Sequence, residues 1–304
     1  MPRIKDVCLV MVTFFPSAKT FSNISHIAKC WPELQVSLVD NTNSPNDQGT
    51  QSFFSRLLLE YPAIHILRNN RNLGIAAALN QGAEYANSHA FQWRLTVDQD
   101  TKLDPAYFSE INRLMEYYPG NKPIAVVGVN YCNLTTGKLA RPRVAKNSLC
   151  EAKAVITSGS LVSIRSWIDI GGYCEPLFID MVDTEYCFRA RQKGCAVVFV
   201  NTPLMQHEIG FRGKIGLGGY DVFFFLLSPF RQYYIFRNMI YMIKHYCGYD
   251  LCWSIKMLFV EIPKLLCKAI LGRRRKKSLH NILRGIRDGV NSNFAHNPLE
   301  REGL

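Results

Sequence analysis

Two acidic clusters, Val97-Asp98-Gln99-Asp100-Thr101 and Phe178-Ile179-Asp180-Met181-Val182-Asp183-Thr184-Glu185-Tyr186, lie about 80 residues apart in this 304-residue chain. Carboxylates at i and i+2 of a turning backbone, as at Asp98 and Asp100, can share a divalent cation, and oxygen ligands suit Mg²⁺ or Mn²⁺. The second cluster opens an amphipathic stretch, where a helix dipole favours negative charge. One cluster could hold a metal while the other supplies a base. That division of labour is the chemistry of a transferase acting on a diphosphate-activated substrate.

The first cluster needs a buried strand behind it, and residues 91–97 form an apolar run of that kind. Similar runs at 7–14, 35–40 and 64–67 alternate with helical patterns at 21–31, 51–61 and 74–86. Such alternation predicts an α/β fold with a mostly parallel sheet and helices on both faces. Ligands in these sheets bind beyond the carboxyl ends of the strands. Thr13, Asp40 and Asp98 all stand at such ends, so topology alone predicts that they converge on a nucleotide-binding crevice. Further along, the pattern predicts helices at 106–117 and 183–193, β-rich stretches at 124–131 and 154–164, and a strand at 195–200 leading toward His207. The five glycines of 210–220 predict a mobile loop. No internal repeat is present.

Composition narrows the class. With 48% apolar residues the chain is that of a folded globular protein. The formal charge of +12 is concentrated at one end: from Arg231 onward there are 14 Lys/Arg and five Asp/Glu, against 22 and 19 before it. The ten cysteines form no CxxC pair, and several sit in apolar runs, which predicts buried free thiols in a reducing compartment and no zinc site. The N-terminus lacks a signal-peptide layout, and no uncharged apolar run approaches the ~20 residues of a membrane span. A cytoplasmic catalytic part is expected. From 221 onward the chain is rich in aromatics and cations, with amphipathic stretches at 251–271 and 279–290 flanking Arg273-Arg274-Arg275-Lys276-Lys277. This predicts helices on an anionic membrane surface, or a helical subdomain packed on the core. Nothing resembles a nucleic-acid motif.

Several of these segments together resemble family 2 glycosyltransferases of the GT-A fold. They are Val39-Asp40-Asn41, the run Asn70-Arg71-Asn72-Leu73-Gly74 through Gly82, and Asp98-Gln99-Asp100. The stretch from Phe178-Ile179-Asp180 through Asp183-Thr184-Glu185-Tyr186-Cys187-Phe188-Arg189-Ala190 is similar to the bacterial rhamnosyltransferase branch, as is Ser228-Pro229-Phe230-Arg231-Gln232-Tyr233-Tyr234-Ile235-Phe236-Arg237-Asn238. The resemblance covers roughly residues 5–245. It implies a GT-A catalytic domain over 1–220, with a nucleotide-binding half at about 1–104 and an acceptor half at about 105–220; the aromatic and basic region over 221–304 is expected, from its composition, to associate with a membrane.

The resemblance also implies roles. Asp100 would be the direct ligand of Mg²⁺ or Mn²⁺, with His207 as a further metal ligand. Asp98 would contact the ribose or a metal-bound water. Asp40 would bind the base or ribose, and Thr13, Asn70, Arg71 and Gly74 would wrap the nucleotide. Asp183 would be the catalytic base of an inverting transfer. Val182 stands where the family motif commonly carries an acid, which leaves Asp180 as a rival. Glu185 has a structural alternative, an ion pair with Arg189. Thr157-Ser158-Gly159-Ser160 resembles the segment that lines the sugar side. Arg231, Tyr234 and Arg237 could hold phosphates of a lipid-linked acceptor or pack the C-terminal helices. The implied reaction moves L-rhamnose from dTDP-L-rhamnose to a lipid-linked saccharide on the cytoplasmic face of the inner membrane. Another donor, such as a UDP-hexose or galactofuranose, is the nearest alternative; a nucleotidyltransferase and a non-catalytic membrane adaptor are the remote ones. A nucleotidyltransferase would carry a Gly-rich loop after its first strand, and Val12-Thr13-Phe14-Phe15-Pro16-Ser17 has no glycine.

Overall fold

Val7-Cys8-Leu9-Val10-Met11 is apolar without alternation, and each of these residues is fully buried, as a strand covered on both faces requires. The structure, a computed structural model, describes residues 3–44, 46–134, 136–141, 149–208, 212–217, 220–225, 228–271, 275–292 and 294. It begins with β1 (Val7–Thr13), α1 (Ala18–Cys30), β2 (Gln35–Asp40), α2 (Gln48–Glu60), β3 (His65–Arg68), α3 (Ile75–Ser88) and β4 (Trp93–Asp98). These four strands pair in parallel in the order β3-β2-β1-β4. Thr13 and Asp40 are register partners, and Asp98 pairs with Val12, so the three expected positions end at one edge of the sheet.

The second half of the sheet is mixed. It comprises β5 (Lys102–Leu103), β6 (Ile124–Asn133), β7 (Leu149–Glu151), β8 (Ser160–Ser163) and β9 (Ala196–His207), with α4 (Tyr107–Met115), α5 (Ile164–Ile170) and α6 (Val182–Gln192) between them. Strand β8 runs antiparallel to both β4 and β6, while β6 and β9 are parallel. Alternating αβ patterning predicts parallel pairs, so the antiparallel insertion of β8 is invisible to it. The expected β-rich stretch 154–164 contributes only β8, because Gly159 adopts φ of 70° and turns the chain just before it.

The chain divides into two units: Met1–Glu175 with Asp183–Ile209, and Pro176–Val182 with Gly210–Leu304. The second therefore begins nearer 210 than 221 and takes a short segment from the middle of the chain. It contains β10 (Arg212–Leu217) and β11 (Tyr220–Phe225), α7 (Pro229–Tyr246), α8 (Leu251–Lys256), a wide π turn (Met257–Glu261), α9 (Ile262–Leu271) and α10 (Arg275–Val290). The glycine-rich segment expected to be a mobile loop is instead largely strand. Residues 212–217 pair antiparallel with 220–225, which satisfies backbone groups that a loop would leave to water; residues 210, 211, 218 and 219 lie outside those described.

Ser228 caps α7 by accepting from the Arg231 N–H, and Pro229 follows at the first helical position. Helix α10 crosses α7 on its small residues: a Cβ on Gly285 would lie 2.4 Å from the Tyr233 carbonyl oxygen, and one on Gly289 2.6 Å from that of Arg237. Backbone cannot rotate away as a side chain can. Gly285→Ala is therefore expected to destabilise this unit by about 1–3 kcal/mol through overpacking. Helix propensity alone would stabilise the same change by ~0.5–1 kcal/mol, so the sign of the shift in a urea unfolding midpoint is diagnostic.

All ten cysteines are free. Burial pushes the Cys8 and Cys187 thiols up to about 12, which makes them unreactive packing groups. Cys150, Cys247, Cys252 and Cys267 are exposed, contrary to the expectation of buried thiols drawn from apolar context.

Candidate active site

The Asp98–Asp100 segment turns at the end of β4, closed by a bond from the Thr101 N–H to the Asp98 carbonyl. The side chain of Gln99 points back at β1: its oxygen accepts from the Phe14 N–H at 3.0 Å, and its amide donates to the Phe14 carbonyl at 3.2 Å. Asn23 on α1 donates to the Gln99 carbonyl. The turn is thus held from outside, with both carboxylate side chains 39% exposed.

Strand β5 follows the turn immediately and pairs antiparallel with the end of β9, Lys102 opposite Gln206. That register sets Thr101 against His207. The two side chains are hydrogen-bonded at 2.7 Å through Nδ1, and Thr101 in turn contacts the Ser158 hydroxyl at 2.8 Å. His207 lies 4.0 Å from Asp98 (Nε2 to Oδ2) and 3.6 Å from Asp100 (Nδ1 to Oδ1). One ligand atom from each of Asp98, Asp100 and His207 falls within 4.8 Å of the others. One ring cannot serve a single ion through both nitrogens. With Nδ1 engaged by Thr101, Nε2 is the atom left to ligate. Two carboxylates and an imidazole, half-buried at the rim of a sheet, form a donor set that fits Mg²⁺ or Mn²⁺. Thr101 was not singled out by sequence; only its adjacency to Asp100 hinted at it.

The turn before β8 links this cluster to the second one. Ser158 accepts from the Asp98 N–H at 2.9 Å, and its neighbour Thr157 donates its N–H to Asp183 Oδ2 at 3.2 Å. Two adjacent residues thereby hold the two acidic clusters, which are distant in sequence. Asp183 lies in the first turn of α6, and its Oδ1 accepts from the Thr184 N–H at 2.7 Å. Two backbone donors orient the carboxylate. Glu185 is different: it is buried and forms bonds of 2.7 and 2.8 Å to Arg189, whose remaining donors reach the Ile170 and Gly172 carbonyls. Glu185 is a structural ion-pair residue.

On the nucleotide side, Asp40 is only 1% exposed. Its Oδ1 accepts from the hydroxyls of Thr13 and Thr42. Its Oδ2 has no hydrogen-bond partner, and the Arg68 Nε lies 3.6 Å away. Thr13, fully buried, commits its hydroxyl to Asp40. A side-chain amide network of Asn41, Asn69 and Gln81 joins β2, β3 and α3, and Asn41 also donates to the Gly74 carbonyl. Gly74 caps α3 with φ of 84°, a conformation that calls for glycine, and its N–H donates to Asn72. Asn70 is left-handed at φ of 53°, and Arg71 is exposed.

Within the second unit, the segment from Pro176 to Val182 has three non-glycine residues in the left-handed region: Phe178, Asp180 and Met181. Each such conformation costs on the order of 1 kcal/mol or more and needs external support. Helix α7 supplies it. Asn238, fully buried, donates to the carbonyls of Leu177, Ile179 and Asp180 at 2.8–2.9 Å. Arg237 donates to those of Pro176 and Leu177, and Tyr234 stacks on Phe178 with centroids 4.8 Å apart. Arg231 pairs with Asp180 at 2.9 Å. Of the two readings open for Arg231, Tyr234 and Arg237, the packing one matches this geometry.

Residues 18–158 match the family model described as glycosyl transferase family 2. The chain is 25% identical over 252 residues to the dTDP-rhamnosyl transferase RfbF of Shigella flexneri, covering 79% of this chain and 80% of that one. Its fold is similar to that of S. aureus TarS 1-349 in complex with UDP-GlcNAc, with a TM-score of 0.56, 11% identity and coverage of 95% and 93% of the two chains. A longer TarS chain is spanned to 55% of its length. The mannosyltransferase PcManGT of Pyrobaculum calidifontis, in complex with GDP-Man and Mn²⁺, gives a TM-score of 0.56 at 11% identity, with coverage of 95% and 88%.

Proposed function

We propose that this chain, a glycosyltransferase with a family 2 match over residues 18–158 and a GT-A fold, transfers L-rhamnose, with inversion, from dTDP-L-rhamnose to a lipid-linked saccharide of a cell-surface polysaccharide such as an O-antigen. The donor reading is carried by the similarity, over about four-fifths of both chains, to a protein named as a dTDP-rhamnosyl transferase. The chemistry rests on the adjacency of Asp98, Asp100 and His207 to Asp183 through Thr157 and Ser158.

In this reading Asp98, Asp100 and His207 hold Mg²⁺ or Mn²⁺, which when bound neutralises charge developing on the leaving diphosphate. Thr101 orients the imidazole through its hydrogen bond to Nδ1, and Gln99 keeps the turn fixed against β1. Asp183 removes the proton of the acceptor hydroxyl as that oxygen attacks the anomeric carbon from the face opposite the leaving group. The Oδ2 of Asp40, 3.6 Å from the Arg68 Nε and without a hydrogen-bond donor, is a buried acceptor that a pyrimidine N–H or a ribose hydroxyl would satisfy. Asn70, Arg71 and Gly74 border the same strand ends and would wrap the nucleotide. Asp180 is the weaker base, since its carboxylate is already engaged by Arg231.

A lipid-linked acceptor would bring the enzyme to the cytoplasmic face of the inner membrane. No described helix is long and apolar enough to cross a membrane, so the association would be peripheral. A thermal-shift screen of dTDP, UDP and GDP, with and without Mn²⁺, tests the donor. A ligand of the native state at a hundredfold excess over its Kd adds ~2.7 kcal/mol of apparent stability. A Mn²⁺-dependent shift with dTDP is expected. Preference for UDP or GDP would move the donor and keep the mechanism; no response from any nucleotide would sink the nucleotide-sugar reading.

A further inference from the structure

Helix α8, the π turn and α9 form one continuous helical path with apolar residues on both its inward and its outward face. Ser254, Ile262 and Ala269 face inward and are buried. Leu251, Ile255 and Phe259 face outward, at 61%, 48% and 70% exposure. Their spacing of four places them on one stripe of the helix surface. The inward residues Ser254 and Ile262 are separated by more than two ordinary α-helical turns; the extra residue accommodated by the wide turn restores their alignment and keeps the apolar stripe outward. A helix packed only against its own subunit and water would carry polar residues in place of Leu251, Ile255 and Phe259 on its outward face.

Cations flank the stripe. Lys256 and Lys264 are both exposed, and Glu261, the one acid between Leu251 and Leu271, lies 3.3 Å from Lys264. Helix α10 opens on exposed Arg275, Lys276 and Lys277. An apolar stripe rimmed by cations matches the acyl boundary and headgroups of an anionic bilayer. A second copy of this chain is a poorer occupant, since self-pairing of the face would bring cationic rims together. We propose that the outward face of α8–α9 is a membrane-docking surface, in which Ile255 and Phe259 enter the interface of an anionic bilayer while Lys256 and Lys264 meet its headgroups.

This deepens the peripheral location proposed above and is independent of the donor, so vesicle binding and nucleotide binding can fail separately. The test is flotation of the full chain with vesicles of phosphatidylethanolamine and phosphatidylglycerol at roughly 3:1, against pure phosphatidylcholine, for wild type and Ile255→Ser/Phe259→Ser. Wild type is expected to float with the anionic vesicles, and the double variant to partition on the order of tenfold less while keeping its Tm and its nucleotide response. Because a soluble loss could reflect misfolding, Lys256→Glu/Lys264→Glu provides a second arm and should weaken anionic-vesicle binding and its salt sensitivity. Equal flotation of all three proteins, or equal binding to neutral vesicles, would overturn the proposal. So would a wild-type dimer in sedimentation that the serine variant abolishes without any change in flotation.

Discussion

Asp183→Asn is expected to lower the rate of sugar transfer by about 10²–10⁴-fold, the contribution of a positioned general base. Asparagine has the size and shape of aspartate. Its oxygen can still accept one of the N–H groups of Thr157 and Thr184 that orient the side chain. What it loses is the capacity to take a proton from the acceptor hydroxyl at neutral pH. Binding of nucleotide with Mn²⁺ should therefore survive, so a preserved thermal shift alongside lost turnover separates this role from a structural one. Asp180→Asn is the internal comparison. It removes the partner of Arg231 at the surface of the second unit and should cost little in transfer rate. If Asp180→Asn abolished transfer and Asp183→Asn did not, the assignment of the base would be reversed.

Asp100→Ala is the second large effect. The substitution removes one of three converging ligand groups and leaves Asp98 and His207. Mn²⁺ binding, read by calorimetry in the presence of dTDP, should fall below detection. Transfer should drop by about 10³-fold or more, since a metal supplies several kcal/mol of charge stabilisation to a departing diphosphate. The Asp100 side chain is 39% exposed, so the variant should unfold close to the wild-type midpoint in the absence of metal. Retention of Mn²⁺ binding would mean that Asp98 and His207 suffice, and that Asp100 serves another end.

Individual elements show where reading the chain reached its limit. Strand β2 is found where apolar patterning predicted it, at residues 35–40, because a short β-branched run ending in Asp-Asn is a local signal. The glycine-rich stretch 210–220 misleads because glycine count speaks for backbone freedom, whereas strand pairing depends on a partner, here the adjoining residues 220–225. The stretch from 251 reads as amphipathic, and the structure puts apolar residues on both of its faces: Ile262 and Ala269 are buried while Ile255 and Phe259 are exposed. Periodicity defines two faces but does not say which one meets the protein, and a π turn shifts the phase partway along.

The sequence by itself determined the class of chemistry. Asp98 and Asp100 two residues apart, Asp40 at a strand end, Gly74 before a helix and Asp183 at a helix start are short-range patterns, and each needs only a few neighbouring residues to be meaningful. Tertiary structure alone decided how they combine. The β5–β9 register carries His207 to Thr101 and the two aspartates, and the Thr157-Ser158 turn carries Asp183 beside them. It also decided that Arg231, Arg237 and Asn238 brace a left-handed segment within their own unit. The physical reason is one of range. A strand register or a side-chain bond between residues far apart in sequence is fixed by burial and hydrogen-bond satisfaction summed over the whole sheet, and such sums leave no mark in any local stretch of the chain.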